Sequence, residues 1–351
     1  MGRTAAALDR ALDDRYTLSL ELDLSVPHRF AIFSDQHKGA GDGADEFMRC
    51  GPAYRAALER YLADGFSLIL LGDVEELWEQ GFREVERAHA SSLELEASFG
   101  HGRYYRLWGN HDDAWMDPHE VERHLRPYVP NMAVHEGIRF AVTEAGVALG
   151  TLFLVHGHQG GFWSDKMRAP ASYSLKAWRE VQRITGWGKQ TPSRDACLRG
   201  DHDREMYDWA RRKDRVILIA GHTHRPVWSS RTHLQTLASD LAAERRAVSD
   251  PEGFTESGRR RIVALQREIA YLTTISRPCN DSTKPVPCYF NTGCCKFSDG
   301  DITGMELDDG ELRLVKWTST SGSRLVLEAG RLPALFAELP SATARSTPGL
   351  P

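Results

Sequence analysis

Five places in this chain carry Asp, Asn or His directly behind a short apolar run. Asp35 and His37 follow residues 30–33, and Asp73 follows residues 68–71. Asn110, His111 and Asp112 follow residues 104–108. His156 and His158 follow residues 152–155, and His222 with His224 follow residues 216–220. Carboxylate, amide oxygen and imidazole together suit Mn, Fe, Co or Zn better than a soft metal. Two divalent ions take about eight to twelve ligand positions, some of them filled by water or substrate. Asp35, His37, Asp73, Asn110, His156, His222 and His224 supply seven. One carboxylate can bridge ions about 3.5–4 Å apart. Two ions bring four positive charges and the two Asp ligands remove only two. The expected centre is therefore net positive and suited to an anion such as a phosphate ester. A water held by such ions has its pKa lowered to about 7 and becomes the expected nucleophile. His111 is not needed as a ligand, and as an imidazole it is the candidate proton donor to a leaving group. Asp112 is placed by sequence to orient that imidazole, and Glu76 to orient a ligand histidine.

The elements that must hold these residues are legible from the runs themselves. A short apolar run bounded by Gly and polar residues reads as a buried strand. Sites in open α/β sheets gather outside the carboxyl ends of strands. Between the runs, residues 52–62 and 83–99 have helical spacing, the second as an exposed helix, and residues 4–12 form a short, poorly ordered one. This alternation predicts an α/β domain over residues 1–340. Two helical insertions interrupt it, at about 160–214 and 232–274. The first holds Trp163, Trp178, Trp187 and Trp209 among basic residues. Within it Arg194 and Arg199 are candidate substrate contacts of a cap, as are His158 and Arg225 at the centre. The second reads as an antiparallel helical hairpin turning at residues 250–253. Residues 287–291, 302–307 and 312–317 read as closing strands, and 341–351 as a disordered tail.

Composition narrows the classes. The chain has 351 residues, 41% hydrophobic and 26% charged, with a formal net charge of -5. That balance gives no pull toward nucleic acid or an anionic membrane. No apolar stretch is long enough for a transmembrane span, and no export signal is visible, so a cytoplasmic location is expected. The six cysteines, Cys50, Cys197, Cys279, Cys288, Cys294 and Cys295, are read as reduced thiols, since no C-x-x-C pair occurs.

The motifs Asp35-x-His37, Gly72-Asp73-x-x-Glu76, Gly109-Asn110-His111-Asp112, His156-Gly157 and Gly221-His222-x-His224, in this order, resemble the calcineurin-like metallophosphoesterase family. The resemblance runs over about residues 28–318 and includes Asn291-Thr292-Gly293. It implies a two-sheet α/β sandwich flanked by helices. It also implies a dinuclear-metal phosphoesterase attacking a phosphate ester with metal-bound hydroxide. Asp35, His37, Asp73 and His224 would bind one ion, Asp73, Asn110, His156 and His222 the other, with His111 the leaving-group acid. Manganese is the expected metal, with Fe, Zn or Co as alternatives. Within the family the segments resemble the UDP-2,3-diacylglucosamine diphosphatase branch. That branch usually has Arg where this chain has His111, and it lacks the long hairpin after His224. The expected substrate is a phosphorylated small molecule or lipid headgroup. The rivals are a nuclease of the same fold and a non-catalytic metal-binding scaffold whose hairpin engages a partner or makes a homodimer.

Overall fold

The computed structural model describes residues 2–160, 196–232, 256–275 and 286–340 except Asp14, with four isolated positions between 238 and 245. Two seven-stranded sheets dominate. Their strands, in chain order, begin with β1 (Thr17–Asp23), β2 (Arg29–Phe33), β3 (Ser67–Leu70), β4 (Tyr104–Leu107) and β5 (Val134–His135). Next come β6 (Gly137–Glu144), β7 (Val147–Val155), β8 (Val216–Ala220), β9 (Pro226–Trp228) and β10 (Arg231–Thr232). The last four are β11 (Tyr289–Thr292), β12 (Ile302–Asp308), β13 (Glu311–Trp317) and β14 (Arg324–Arg331). One sheet has the order β14-β13-β12-β2-β3-β4-β5, the other β1-β6-β7-β8-β11-β9-β10. Strands β2 to β5 are mutually parallel, as are β7, β8 and β11. Antiparallel strands finish two of the four edges, at β14 and β10, while β5 and β1 pair parallel to their neighbours β4 and β6. The expected two-sheet α/β architecture is the one observed.

The apolar runs are unbroken because both faces of the central strands are covered. Successive side chains alternate between two cores. Ile32 and Ile69 join a core shared with β7, β8 and helices α1 (Arg3–Asp13) and α5 (Ala196–Arg212). Their neighbours Ala31, Phe33, Leu68 and Leu70 point the other way, onto α2 (Phe47–Ala63) and α3 (Phe82–Ala97). Among the described residues the remaining α-helices are α4 (Pro118–His124), α6 (Glu256–Ile275) and α7 (Leu332–Ala337). Among the described residues no helix is long and apolar enough to cross a membrane.

Several local expectations need correction. Helix α1 is anchored, with Leu8 and Ala11 fully buried, because it covers the open face of the second sheet. Helix α2 begins at Phe47 and runs through Pro52. Proline suits a first helical turn, so the sequence suggested a start there. Helix α3 is not simply exposed, because it buries His89, Leu93 and Glu96. Cys50, Cys288, Cys294 and Cys295 are buried thiols, and burial pushes Cys50 and Cys288 up to about 12. Trp163, Trp178, Trp187, Arg194, Cys279, the turn at 250–253 and the tail at 341–351 lie outside the described residues.

Candidate metal centre

The turns that follow β2, β3, β7 and β8 bring the ligand candidates from both sheets together. Asp35, His37, Asp73, His222 and His224 all have positive φ, between 49° and 69°. Asp and His tolerate this left-handed region better than most residues, yet each such position still costs about 1–3 kcal/mol. Cross-loop hydrogen bonds hold the turns. Asp35 N donates to Gly72 O at 3.1 Å, His37 N to Asp73 O at 2.9 Å and Gly221 N to His156 O at 2.8 Å. Two glycines allow this proximity. A Cβ on Gly109 would stand 2.2 Å from Asp73 Oδ1, and one on Gly221 2.5 Å from Asp35 Oδ2. Neither position has room for a side chain.

Each carboxylate has one oxygen tied down and presents the other. Asp35 Oδ2 accepts from His222 N at 2.9 Å and from the Ser34 hydroxyl, while Oδ1 faces His224 Nε2 at 3.1 Å. Asp73 Oδ1 accepts from His111 N at 2.7 Å. Its Oδ2 lies 3.2 Å from His156 Nε2 and 3.6 Å from His37 Nε2. The imidazoles are aimed in the same manner. His156 Nδ1 meets the Leu71 carbonyl at 2.9 Å. A carbonyl only accepts, so Nδ1 carries the proton and Nε2 the lone pair. His37 Nδ1 meets Glu76 Oε2 at 3.0 Å, turning its Nε2 toward Asp35, Asp73 and His224.

Two groups of donor atoms result, each within 4.8 Å of one another: Asp35, His37 and His224, then Asp73, His156 and His222. A third, His37 with Glu76 and His111, uses the opposite nitrogen of His37. Asp35 Oδ1, Asn110 Oδ1 and His156 Nε2 are buried without a hydrogen-bond partner. Acceptor atoms left bare in a buried cluster carry a large desolvation cost unless a cation meets them. The donor set therefore fits divalent metal.

Electrostatics point the same way. Burial raises the pKa of Asp35, but His224 and His37 outweigh it and hold the carboxyl well below its usual range. Asp73 is depressed likewise, with His156 and His111 prevailing over burial. Burial and Lys296 disfavour a charged His37, yet hydrogen bonds to Asp35 and Glu76 push it up to about 9. His156 also reaches about 9, burial being outweighed by the Asp73 charge. Burial pulls His224 down to about 4 and His222 well below its ordinary value. The upward shifts of His37 and His156 mark where the carboxylates favour cation charge.

Around this core the expected roles are redistributed. The carboxylate that meets the His111 imidazole is Glu76, not Asp112. Glu76 Oε1 lies 2.8 Å from His111 Nδ1 while its Oε2 holds His37, so one side chain links both histidines. Asp112 is turned inward, where it accepts from Gly109 N at 2.6 Å and Val74 N at 2.9 Å. Both of its oxygens are thereby occupied by backbone donors. Burial and the charges of Asp73 and Glu75 push Asp112 up to about 7. His111 also stacks on Trp78, with ring centroids 4.1 Å apart. His158 is buried against the Trp108 ring at 4.8 Å. Arg225 is half-buried and its charge bears on the buried Asp203 and Tyr289. Arg199 lies on α5, whose first turns have only their backbone described.

Two contributors had no sequence signal of their own. His202, on α5, places Nε2 2.5 Å from Gly157 O and its ring 5.3 Å from that of His222. Asp203 beside it accepts from Thr223 Oγ1 at 3.0 Å and Tyr289 OH at 2.7 Å. The end of the first insertion is thus a support beneath the ligand loops, whatever its remaining residues do. Both lie far in sequence from any ligand motif, on a helix chosen by its tryptophans and basic residues.

Residues 28–226, more than half of the chain, match the family model of the calcineurin-like phosphoesterases. The chain belongs to that family. Among solved structures, this calcineurin-like phosphoesterase is similar to a conserved uncharacterized protein of Streptococcus pneumoniae, described as a predicted phosphoesterase. Identity is 12% over 86% of this chain and 98% of that one, with a TM-score of 0.28. It is also similar to Vacuolar Protein Sorting 29 of Cryptosporidium parvum, at 13% identity over 87% and 98% of the two chains, with a TM-score of 0.29. No curated protein matches it.

Proposed function

We propose that this calcineurin-like phosphoesterase is a dinuclear-metal enzyme that hydrolyses a phosphate ester. Asp35, His37, Asp73 and His224 would hold one divalent ion, and Asp73, Asn110, His156 and His222 the other. The observation that carries this reading is the position of Asp73 Oδ2, between His156 Nε2 at 3.2 Å and His37 Nε2 at 3.6 Å. When bound, such an ion pair neutralises phosphoryl oxygens and acidifies a water to a pKa of about 7.

The chain's own residues supply orientation and a proton. Glu76 grips Nδ1 of both His37 and His111, fixing a ligand and the proposed acid with one carboxylate. That leaves His111 Nε2 to give a proton to the departing oxygen. Trp78 holds the ring from one face. Only two of the seven proposed ligands are carboxylates, so the loaded centre stays cationic and favours an anionic substrate. A phosphorylated small molecule or lipid headgroup suits it, and manganese is the metal to try first. The test is a hydrolysis panel of phosphomonoesters, diesters, nucleotide diphosphates and a UDP-linked lipid, run with measured metal content. Turnover that requires metal supports the reading. Protein loaded with two ions that turns over none of the panel refutes it.

A further inference from the structure

One cation beside the centre is unused by the ligand set. The loop after β2 runs from His37 to Glu46, which immediately precedes α2. Asp45 braces it, accepting from Gly41 N at 2.9 Å and Phe47 N at 3.1 Å and meeting His89 Nε2 at 2.7 Å. From the other direction, the segment after β11 passes Asp35, where Cys295 N donates to the Asp35 carbonyl at 3.3 Å. The next residue, Lys296, places Nζ 3.1 Å from Glu46 Oε2. Two chain segments, each pinned at a proposed ligand, therefore meet through this pair.

The pair is asymmetric. The Lys296 side chain is 19% exposed and that of Glu46 63%. The lysine is largely covered while its partner stands in water. Its charge bears on His37 and His224, opposing the protonation of both. Glu46, held below its usual range by Lys296 against burial, feels the same two histidines. An ion pair with so exposed an acid is worth less than about 1 kcal/mol, so the lysine exchanges partners at little cost. An ammonium on a flexible stem is a point charge suited to phosphate oxygens.

We propose that Lys296 is a phosphoryl-binding cation, leaving Glu46 to pair with a non-reacting phosphoryl oxygen of the substrate, and that Glu46 is its counter-ion while substrate is absent. The inference rests on the phosphoesterase reading and adds the residue that captures the anion. Lys296 acts on binding more than on the chemical step, and Glu46 competes with substrate for it.

The direct test is calorimetric titration of the manganese-loaded protein with inorganic phosphate, which needs no turnover. Lys296→Ala should weaken phosphate binding about 10-fold, the lower end of what a charged hydrogen bond provides. Lys296→Arg should keep most of the affinity. Glu46→Gln should tighten binding about two- to five-fold by removing the competitor. The KM for p-nitrophenyl phosphate should move in parallel, with kcat changing less. Unchanged phosphate affinity in Lys296→Ala with both ions retained overturns the proposal. If Lys296→Ala loses its ions, Glu46→Gln decides, and unaltered or weaker phosphate binding there overturns it. Wild-type protein that binds phosphate through Lys296 yet hydrolyses no ester would refute the phosphoesterase reading and leave this one standing.

Discussion

Replacing Asp73 with Asn asks whether one carboxylate serves both metal groups. The His111 N–H donates to Oδ1 at 2.7 Å, so that position keeps an oxygen in the variant. The amide nitrogen must then occupy the place of Oδ2, facing His156 Nε2 and His37 Nε2 from 3.2 and 3.6 Å. It would offer hydrogens to the lone pairs that metal needs. A hydrogen bond to a charged group contributes about 1.5–3 kcal/mol. Taking that as the worth of the anionic ligand at each ion, a shared one is worth about 3–6 kcal/mol. At 1.4 kcal/mol per decade, metal affinity should fall about 10²- to 10⁴-fold. Elemental analysis after dialysis against micromolar manganese should find content dropping from two ions per chain to below one. Turnover should fall with it. Two retained ions at unchanged affinity, with normal turnover, would refute the shared-ligand reasoning.

His111→Ala should keep both ions while turnover of an alkyl phosphate falls about 10²- to 10⁴-fold, the range of general acid catalysis. The loss should be much smaller for p-nitrophenyl phosphate, whose leaving group needs no proton, and equal losses would contradict the role. A pH series of thermal melts tests the brace at Asp45. Burial raises the Asp45 pKa, but His89 and the Gly41 N–H outweigh it and the net shift is downward. A depressed folded-state pKa means that its contribution is complete above the unfolded value, about 4, and is lost as pH falls through the folded one. Asp45→Ala should therefore melt below wild type at pH 7, by about 1–3 kcal/mol of stability, and converge with it in acid. A gap that persists undiminished at the lowest pH would contradict the assignment.

What could be read in the sequence followed burial. Strands β2, β3, β4 and β8 lie within one residue of their apolar runs, because burial on both faces leaves continuous runs bounded by ligand turns. Six of the seven ligand candidates fall into the two donor groups, each held in a turn fixed by its own strand, and the seventh, Asn110, is buried. Strand β1 was passed over although Leu18, Leu20 and Leu22 alternate, since no ligand follows it. Strand β14, an exposed edge, has only the short apolar run 325–327, and no ligand follows it. The support of the centre was the least legible part. Glu76 and Asp112 both stand next to ligands, and only the direction of the chain decides which one meets His111. His202, Asp203 and Lys296 reach the site by tertiary packing from distant segments, which local spacing cannot encode.

Stoichiometric titration shows whether a pair of metal ions drives ester hydrolysis. Metal-free protein should be titrated with manganese while bound metal and p-nitrophenyl phosphate turnover are followed together. Activity should be negligible without metal and should rise to a level reached at two bound ions per chain. A plateau already reached at one ion, or full activity without any, would contradict it.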